Sequence, residues 1–118
     1  MTKASAINDL ISLRDALRVF CAARQWQPFH TPKNLSMALI KEAAEIVEHF
    51  QWATAEESHA LDPEKKSAVA EEIADVLMYL VQLADVLDID PLAAAQEKII
   101  KNAKKYPALK PSPDSHSR

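Results

Sequence analysis

The stretch LIKEAAEIVEHFQW, residues 39–52, combines acidic and apolar residues at helical spacing. Glu42, Glu45 and Glu48 are three residues apart, so neighbouring members of this set lie on the same side of an α-helix. With about 100° of rotation per residue, an apolar arc begins directly beside Glu42. The arc consists of Leu35, Leu39, Ala43, Ile46 and Phe50. The stretch therefore predicts a helix that packs through one face and carries acids at the edge of that face.

A second segment, AEEIADVLMYLVQL, repeats this arrangement. Glu72 lies at the edge of its apolar arc as Glu42 does, and Asp75 matches Glu45 at about 60° to the other side. The second arc consists of Val69, Ile73, Val76, Leu80 and Leu83. If the two helices pair antiparallel through these arcs, the pattern predicts four carboxylates converging beside the core.

Four converging carboxylates favour a bound metal ion. Nearby anions repel one another, and burial of an unpaired charge is costly, so a divalent cation would remove the conflict. The set contains oxygen ligands and no Cys or His, which indicates a hard ion, Mg²⁺ or Mn²⁺. Single acid pairs at this spacing are commonly solvated, so the prediction depends on the two matched pairs. Glu48 is left open between a solvated and a supporting role.

Capping and proline signals divide the chain into helices. Four long helices are expected over about residues 5–24, 31–51, 62–87 and 90–107, with a short helical turn beginning at Thr54. The sequence contains no glycine, which disfavours tight β-hairpins and excludes every Gly-rich phosphate loop. We expect an all-α four-helix bundle with a short connecting helix over residues 1–107, followed by a flexible Pro/Ser-rich tail over 108–118.

The composition limits the class of protein further. The chain has 118 residues, of which 48% are hydrophobic, enough for one domain with its own core. A net charge of −3 argues against a nucleic-acid polymer as partner. The single cysteine, Cys21, allows no internal disulfide, as suits a reducing compartment. No apolar run approaches the roughly 20 residues that span a membrane. We therefore expect a cytoplasmic protein.

Two further groups of side chains suit an anionic ligand that carries an aromatic ring. Lys98, Asn102 and Lys105 form one strip on the last helix, where lysine can bind phosphate and asparagine can add directed hydrogen bonds. The alternative for this strip is a solvated helix end, where the helix dipole favours lysine. Aromatic rings that could stack a nucleobase flank the second helix. They are Trp26, Phe29, His30, Phe50 and Trp52.

The segments FHTPKNLSMALIKEAAEIVEHFQW, EEIADVLMYLVQLA and KIIKNAKKYP, in this order, resemble a known family. It is the all-α MazG-like nucleoside triphosphate pyrophosphohydrolases, and within it the dCTP pyrophosphatase branch. The resemblance extends over about residues 14–107. It implies hydrolysis between the α- and β-phosphates, which yields a nucleoside monophosphate and pyrophosphate. It also implies a homo-oligomer, either a tetramer or a dimer, in which a neighbouring chain completes each base pocket.

The resemblance also assigns roles by position. The implied Mg²⁺ ligands are Glu42, Glu45, Glu72 and Asp75. The implied nucleoside contacts are Trp26, Phe29, His30, Trp52 and Tyr79, and the implied phosphate contacts are Lys98 and Asn102. Glu45 is our candidate for the base that deprotonates the attacking water, because a carboxylate among carboxylates is expected to have a raised pKa. In some members of the family a histidine in the first helix contacts the nucleobase, and this chain has Leu17 at that position.

Two other functions compete with this interpretation. A di-iron or di-manganese carboxylate bundle needs two Glu-x-x-His motifs, and the sequence has one, from Glu56 to His59, in the connecting segment. A non-enzymatic helical interaction module would leave the carboxylates as a solvated seam. A thermal melt with Mg²⁺ and a non-hydrolysable nucleotide separates a binding site from this module, because a ligand of the folded state raises its melting temperature.

Overall fold

The computed structural model of the chain describes residues 6–110, and over this part it contains helices and no strand. The elements are α1 (Leu10–Ala23), a 3₁₀ turn (Gln27–Phe29), α2 (Pro32–Glu48), α3 (Ala55–Ser58), α4 (Pro63–Val86) and α5 (Pro91–Lys105). The all-α prediction is confirmed for these residues. Ser5, where the first helix was predicted to begin, and residues 111–118 of the predicted tail lie outside the described residues, whereas residues 6–9 are described and are not helical. The domain boundary near residue 107 therefore stays a prediction.

The long helices begin at the capping side chains expected from the sequence, with one exception. Thr31 accepts a hydrogen bond from the backbone N–H of Asn34 at 3.1 Å, and Asp62 and Asp90 cap α4 and α5 in the same way. α1 begins later than predicted, because Asp9 caps it by accepting from the Ser12 backbone N–H at 2.7 Å. Side-chain caps satisfy backbone N–H groups that the first helical turn leaves free, which explains why local sequence located most of these starts.

Two helices end in a left-handed residue although the chain has no glycine. Gln25 follows the C-cap of α1 with a φ of 57°, and Asp88 follows the C-cap of α4 with a φ of 54°. This position after a helix usually takes glycine, because a Cβ atom is crowded in the left-handed region. The segment that follows Gln25 includes Trp26, which lines a cavity together with Met78 and Tyr79 of α4.

The core lies along α4. α2 and α1 both pack against this helix, and these are the helix pairs in substantial contact in the described part of the chain. Leu35 of α2 is 1% exposed, the only large side chain in the described residues that is buried this completely. The other buried apolar residues are Cys21, Val69, Val81 and Ala84. The pairing of α2 with α4 is the contact that positions the acids described below.

The expected closure of four helices into one bundle is not found within a single chain. α5 has only marginal contact with the other helices, and Leu92, Ile99 and Ile100 on it are more than half exposed. The radius of gyration is 18.6 Å, whereas a compact domain of this size has about 13 Å. Ile73 and Leu80, which were expected in the apolar arc of α4, are also exposed. The apolar pattern predicted surfaces that pack against other helices, but a single chain leaves part of these surfaces on α4 and α5 exposed.

None of the helices in the described residues combines the length and the apolar character needed to cross a membrane.

Candidate functional site

Three carboxylates converge where α2 packs on α4. Glu42 and Glu45 project from successive turns of α2, and Glu72 projects from α4. One carboxylate oxygen of each lies within 4.8 Å of the other two, and all three side chains are half-buried. Three anions at this separation repel one another unless protons or a cation compensate them. The cluster is therefore a candidate metal centre.

Asp75 stands beside this triad rather than inside it. It is half-buried one turn after Glu72, and it is not among the carboxylates that meet the 4.8 Å separation. Its charge is close enough to contribute to a raised pKa at Glu42. Asp75 also lines the cavity next to the triad. Of the four acids expected to converge, three form the cluster and the fourth connects it to the cavity.

The triad shares protons unequally. A protonated Glu72 can donate a hydrogen bond to the Glu45 carboxylate. This hydrogen bond raises the pKa of Glu72 to about 7, and burial of Glu72 adds to the rise. The same hydrogen bond lowers the pKa of Glu45. Burial, followed by the proximity of Glu45, raises the pKa of Glu42. The expectation of a raised pKa at Glu45 is therefore wrong for the metal-free chain, because the shared proton resides on Glu72.

The oxygen atoms that the triad offers fit a hard divalent cation. Oε2 of Glu72 is buried, and no hydrogen-bond donor of the described residues reaches it. An ionised carboxylate oxygen in that position needs a positive partner, since its desolvation is otherwise uncompensated. The ligands that the triad offers are all carboxylate oxygens, which suit Mg²⁺ or Mn²⁺.

A cavity of about 460 Å³ opens beside Asp75, between α1, α4 and the segment that joins α1 to α2. Its apolar wall consists of Ile7, Leu13, Ala16, Leu17, Phe20 and Met78. Its polar and aromatic lining consists of Cys21, Trp26, His30, Asp75, Tyr79 and Gln82. The Trp26 ring lies edge-on to Phe20 and His30, with centroid distances of 5.7 and 6.2 Å. The cavity thus brings together three expected nucleoside contacts and one expected metal ligand.

Four other expected substrate contacts lie elsewhere. The Phe29 side chain is exposed outside the cavity, while its carbonyl oxygen accepts a hydrogen bond from Asn34 at 2.9 Å. Trp52 is 89% exposed at a separate pocket after the end of α2. Lys98 and Asn102 are exposed on α5. None of these four residues lines the cavity beside the triad.

Glu48 and Phe50 belong neither to the triad nor to the cavity lining. Glu48 is exposed, outside the triad, and lines the pocket that contains Trp52. Phe50 is half-buried in the turn after α2.

Sequence reasoning missed a polar link between α1 and α4. The Cys21 thiol donates to Oε1 of Gln82 at 3.4 Å, and Nε2 of Gln82 donates to the Met78 carbonyl at 3.1 Å. A second link joins Arg18 and Asp85, with an Nε to Oδ2 distance of 2.9 Å. The spacing of seven residues from Asp75 to Gln82 was the available signal, because it keeps both on one face of α4. The cysteine partner had no sequence signal.

Comparison with known proteins identifies the family. The MazG-like family matches residues 38–114. The chain is 42% identical to human dCTP pyrophosphatase 1 over 91 residues, which cover 75% of this chain and 54% of the relative. It is 41% identical to the rat protein of the same name over 90 residues, covering 75% and 53%. The chain therefore spans about half the length of the curated relatives it matches.

A solved structure agrees with this assignment. The crystal structure of a pyrophosphatase from Archaeoglobus fulgidus DSM 4304 is similar with a TM-score of 0.81 and 41% sequence identity. The match covers 91% of this chain and 100% of that one. On the sequence match and the shared helical fold, the chain belongs to the MazG-like family.

Proposed function

We propose that the chain is a Mg²⁺-dependent nucleoside triphosphate pyrophosphohydrolase. The observation that carries the proposal is the carboxylate triad, with its buried donor-free oxygen, beside an aromatic-lined cavity. The relatives named dCTP pyrophosphatase 1 support dCTP or a modified dCTP as the substrate. The products would be the nucleoside monophosphate and pyrophosphate, as in the sanitation of a nucleotide pool.

The four acids divide the work at the metal end of the site. Glu42, Glu45, Glu72 and Asp75 would hold the ion. A bound Mg²⁺ supplies charge neutralisation at phosphate oxygens and lowers the pKa of a coordinated water. Glu45 remains our candidate to accept the proton of the attacking water, since its lowered pKa keeps it ionised at neutral pH, although the same shift makes it a weaker base than expected.

The cavity would hold the nucleoside. Trp26, His30 and Tyr79 supply aromatic surface for the base or sugar, and the α1 wall supplies apolar packing. Enclosure between α1 and α4 excludes water from part of the ligand, which strengthens polar contacts made there. Asp75 lines this cavity and lies one turn after Glu72, the member of the triad on α4. One ligand could therefore place its phosphates beside the acids and its base in the cavity.

A homo-oligomer, a tetramer or a dimer, completes the proposal. Apolar side chains are exposed on each long helix, among them Val19, Met37, Ile40, Val47, Leu77 and Ile99. Burial of such surface against a second copy is favourable by about 25 cal/mol per Å². Lys98, Asn102, Trp52 and Phe29 could then reach a site on a neighbouring chain. The enzyme would act on free nucleotides in the cytoplasm, with no nucleic-acid polymer or membrane as partner.

A nucleotide panel tests the function. The protein with Mg²⁺ and each common or modified deoxynucleoside triphosphate should release pyrophosphate, with the highest kcat/KM on a cytosine nucleotide. Release of orthophosphate as the direct product, or no turnover of any nucleotide, would refute the proposal. Retained self-association without turnover would favour the interaction module instead.

A matched pair of variants tests the metal site. Glu72→Gln keeps the size of the side chain but removes its charge, and we expect a loss of at least about 100-fold in kcat. Glu71→Gln is the control, since Glu71 is exposed on the same helix outside the triad. Equal activity of the two variants would remove Glu72 from the site.

A further inference from the structure

The Gln82 carboxamide is a polar group of the cavity that the proposed chemistry does not use. We infer that Gln82 reads the hydrogen-bonding edge of the nucleobase, and that Cys21 and the Met78 carbonyl hold its amide in one orientation. This inference rests on the proposed nucleotide function and assigns the residue that decides base selectivity. Gln82 is half-buried on α4 and lines the cavity together with Tyr79 and Asp75.

The orientation of the amide is fixed by its two partners. Nε2 of Gln82 donates to the Met78 carbonyl oxygen at 3.1 Å, and that oxygen can only accept. An amide turned by 180° would point Oε1 at this oxygen and lose the bond. Oε1 instead accepts from the Cys21 thiol at 3.4 Å. Cys21 is 6% exposed, and burial raises the pKa of its thiol, so the thiol stays protonated and remains a donor.

The fixed amide keeps capacity for a ligand. Nε2 retains one N–H, and Oε1 retains one lone pair, after the bonds to Met78 and Cys21. This donor and acceptor match the N3 acceptor and 4-amino donor of cytosine. A 4-oxo pyrimidine offers the opposite order, N3–H and an acceptor oxygen. An amide that cannot turn therefore distinguishes the two bases, whereas a free amide would accept both.

The position along α4 is also suitable. Asp75, Tyr79 and Gln82 are spaced by four and three residues, so they follow one face of the helix. At 1.5 Å per residue, Gln82 lies about 10 Å along the axis from Asp75. This span is comparable with the length of a nucleoside. Phosphates at the acidic end and a sugar near Tyr79 would place the far edge of the base at Gln82.

The opposite wall of the cavity offers little competition for this role. Leu13, Ala16 and Leu17 of α1 line the cavity and carry no side-chain hydrogen-bonding group. Apolar lining packs a base without distinguishing an amino from an oxo substituent, whereas a polar group of fixed orientation distinguishes them, because the wrong substituent leaves hydrogen-bonding atoms unpaired. His30 and Trp26 lie on the connecting segment and pack edge-on against each other. On the α4 face formed by Asp75, Tyr79 and Gln82, Gln82 is therefore the residue farthest from the triad, and its amide can bond to the base.

The test measures kcat/KM for dCTP and dUTP with the full chain and Mg²⁺. Gln82→Leu keeps the volume of the side chain and removes both polar atoms. We expect dCTP turnover to fall by roughly 10- to 100-fold, and the dCTP to dUTP ratio to approach one. Cys21→Ala should lower the dCTP to dUTP ratio by a smaller factor than Gln82→Leu does. Cys21→Ser should keep the wild-type ratio, because the serine hydroxyl can donate to Oε1 of Gln82. Gln96→Ala, an exposed glutamine on α5, is the control.

The outcomes separate this inference from the function on which it rests. If the wild-type protein prefers one base and Gln82→Leu keeps that ratio within about twofold while it stays folded and active, the inference is overturned and the function stands. A wild-type enzyme without base preference overturns it as well. If the wild-type protein releases no pyrophosphate from any nucleotide, the proposed function fails and the inference fails with it. Melting temperatures of all variants exclude unfolding as the cause.

Discussion

Binding of Mg²⁺ to the carboxylate triad should release protons, in an amount that falls as the pH rises. The pKa of Glu72 is raised to about 7, so about half of the metal-free molecules carry this proton at pH 7. A carboxylate has to be ionised to coordinate the ion, so the bound state loses the proton. The expected release per site is about 0.9 proton at pH 6, about 0.5 at pH 7 and about 0.1 at pH 8.

The same linkage fixes how the affinity depends on pH. Below pH 7 the proton competes with the ion, so the apparent Kd should rise by about tenfold for each unit of pH lost. Above pH 8 Glu72 is ionised in both states, and the Kd should become independent of pH. Glu42 and Glu45 lie within 4.8 Å of Glu72, so the midpoint of this pH dependence is an apparent pKa of the interacting cluster, in which Glu72 is the main proton carrier.

Titration calorimetry measures this release directly. Mg²⁺ is titrated into the protein at each pH in two buffers with different ionisation enthalpies, and the difference in apparent heat gives the number of protons. Glu72→Gln should abolish the release at pH 6, whereas Glu71→Gln should keep it. No proton release at pH 6 with tight Mg²⁺ binding, or a release that Glu72→Gln leaves unchanged, would refute the assignment of the shared proton.

Three further predictions concern stability and assembly. Leu35→Ala should lower the free energy of unfolding by about 2–5 kcal/mol in urea titrations, because it empties the most completely buried position between α2 and α4; a loss below 1 kcal/mol would contradict this core. Asp85→Asn should lower the urea midpoint by roughly 0.5 M at pH 7. Arg18 holds the pKa of Asp85 below its usual value, so this difference should be constant above about pH 4 and should shrink as the pH falls further through the lowered pKa; a difference that does not shrink on acidification would exclude the ion pair as its cause. Trp52→Ala should leave the melting temperature unchanged but reduce activity by at least about tenfold, since Trp52 is exposed and would act on a neighbouring chain. Mixing the impaired Trp52→Ala protein with Glu42→Gln protein should raise activity above the sum of the two, and no such gain after subunit exchange would place both residues in one chain's site.

The sequence predicted the features that local chemistry determines. Thr31 and Asp62 begin their helices where the cap and the following proline indicated. The convergence of Glu42 and Glu72 followed from matching positions on two helical wheels, because an apolar arc fixes which edge of a helix meets its partner.

Features that depend on tertiary distances were not predictable in this way. The pair of Cys21 and Gln82 is separated by 61 residues, and no periodic pattern connects a residue of α1 to one particular turn of α4. The proton distribution between Glu45 and Glu72 depends on burial and on a side-chain hydrogen bond. The separation of α5 from the other helices was missed because an amphipathic pattern indicates that a surface packs, but not which chain covers it.

The position of α5 has a consequence for the evolution of the family. A helix with little contact to its own chain receives little selective constraint from that chain. The exposed apolar residues Leu92, Ile99 and Ile100 would then be maintained by the surface that covers them in an assembly. Their substitutions should covary with residues that are distant from α5 in a single chain. Such covarying pairs would identify the contact between subunits from sequences alone.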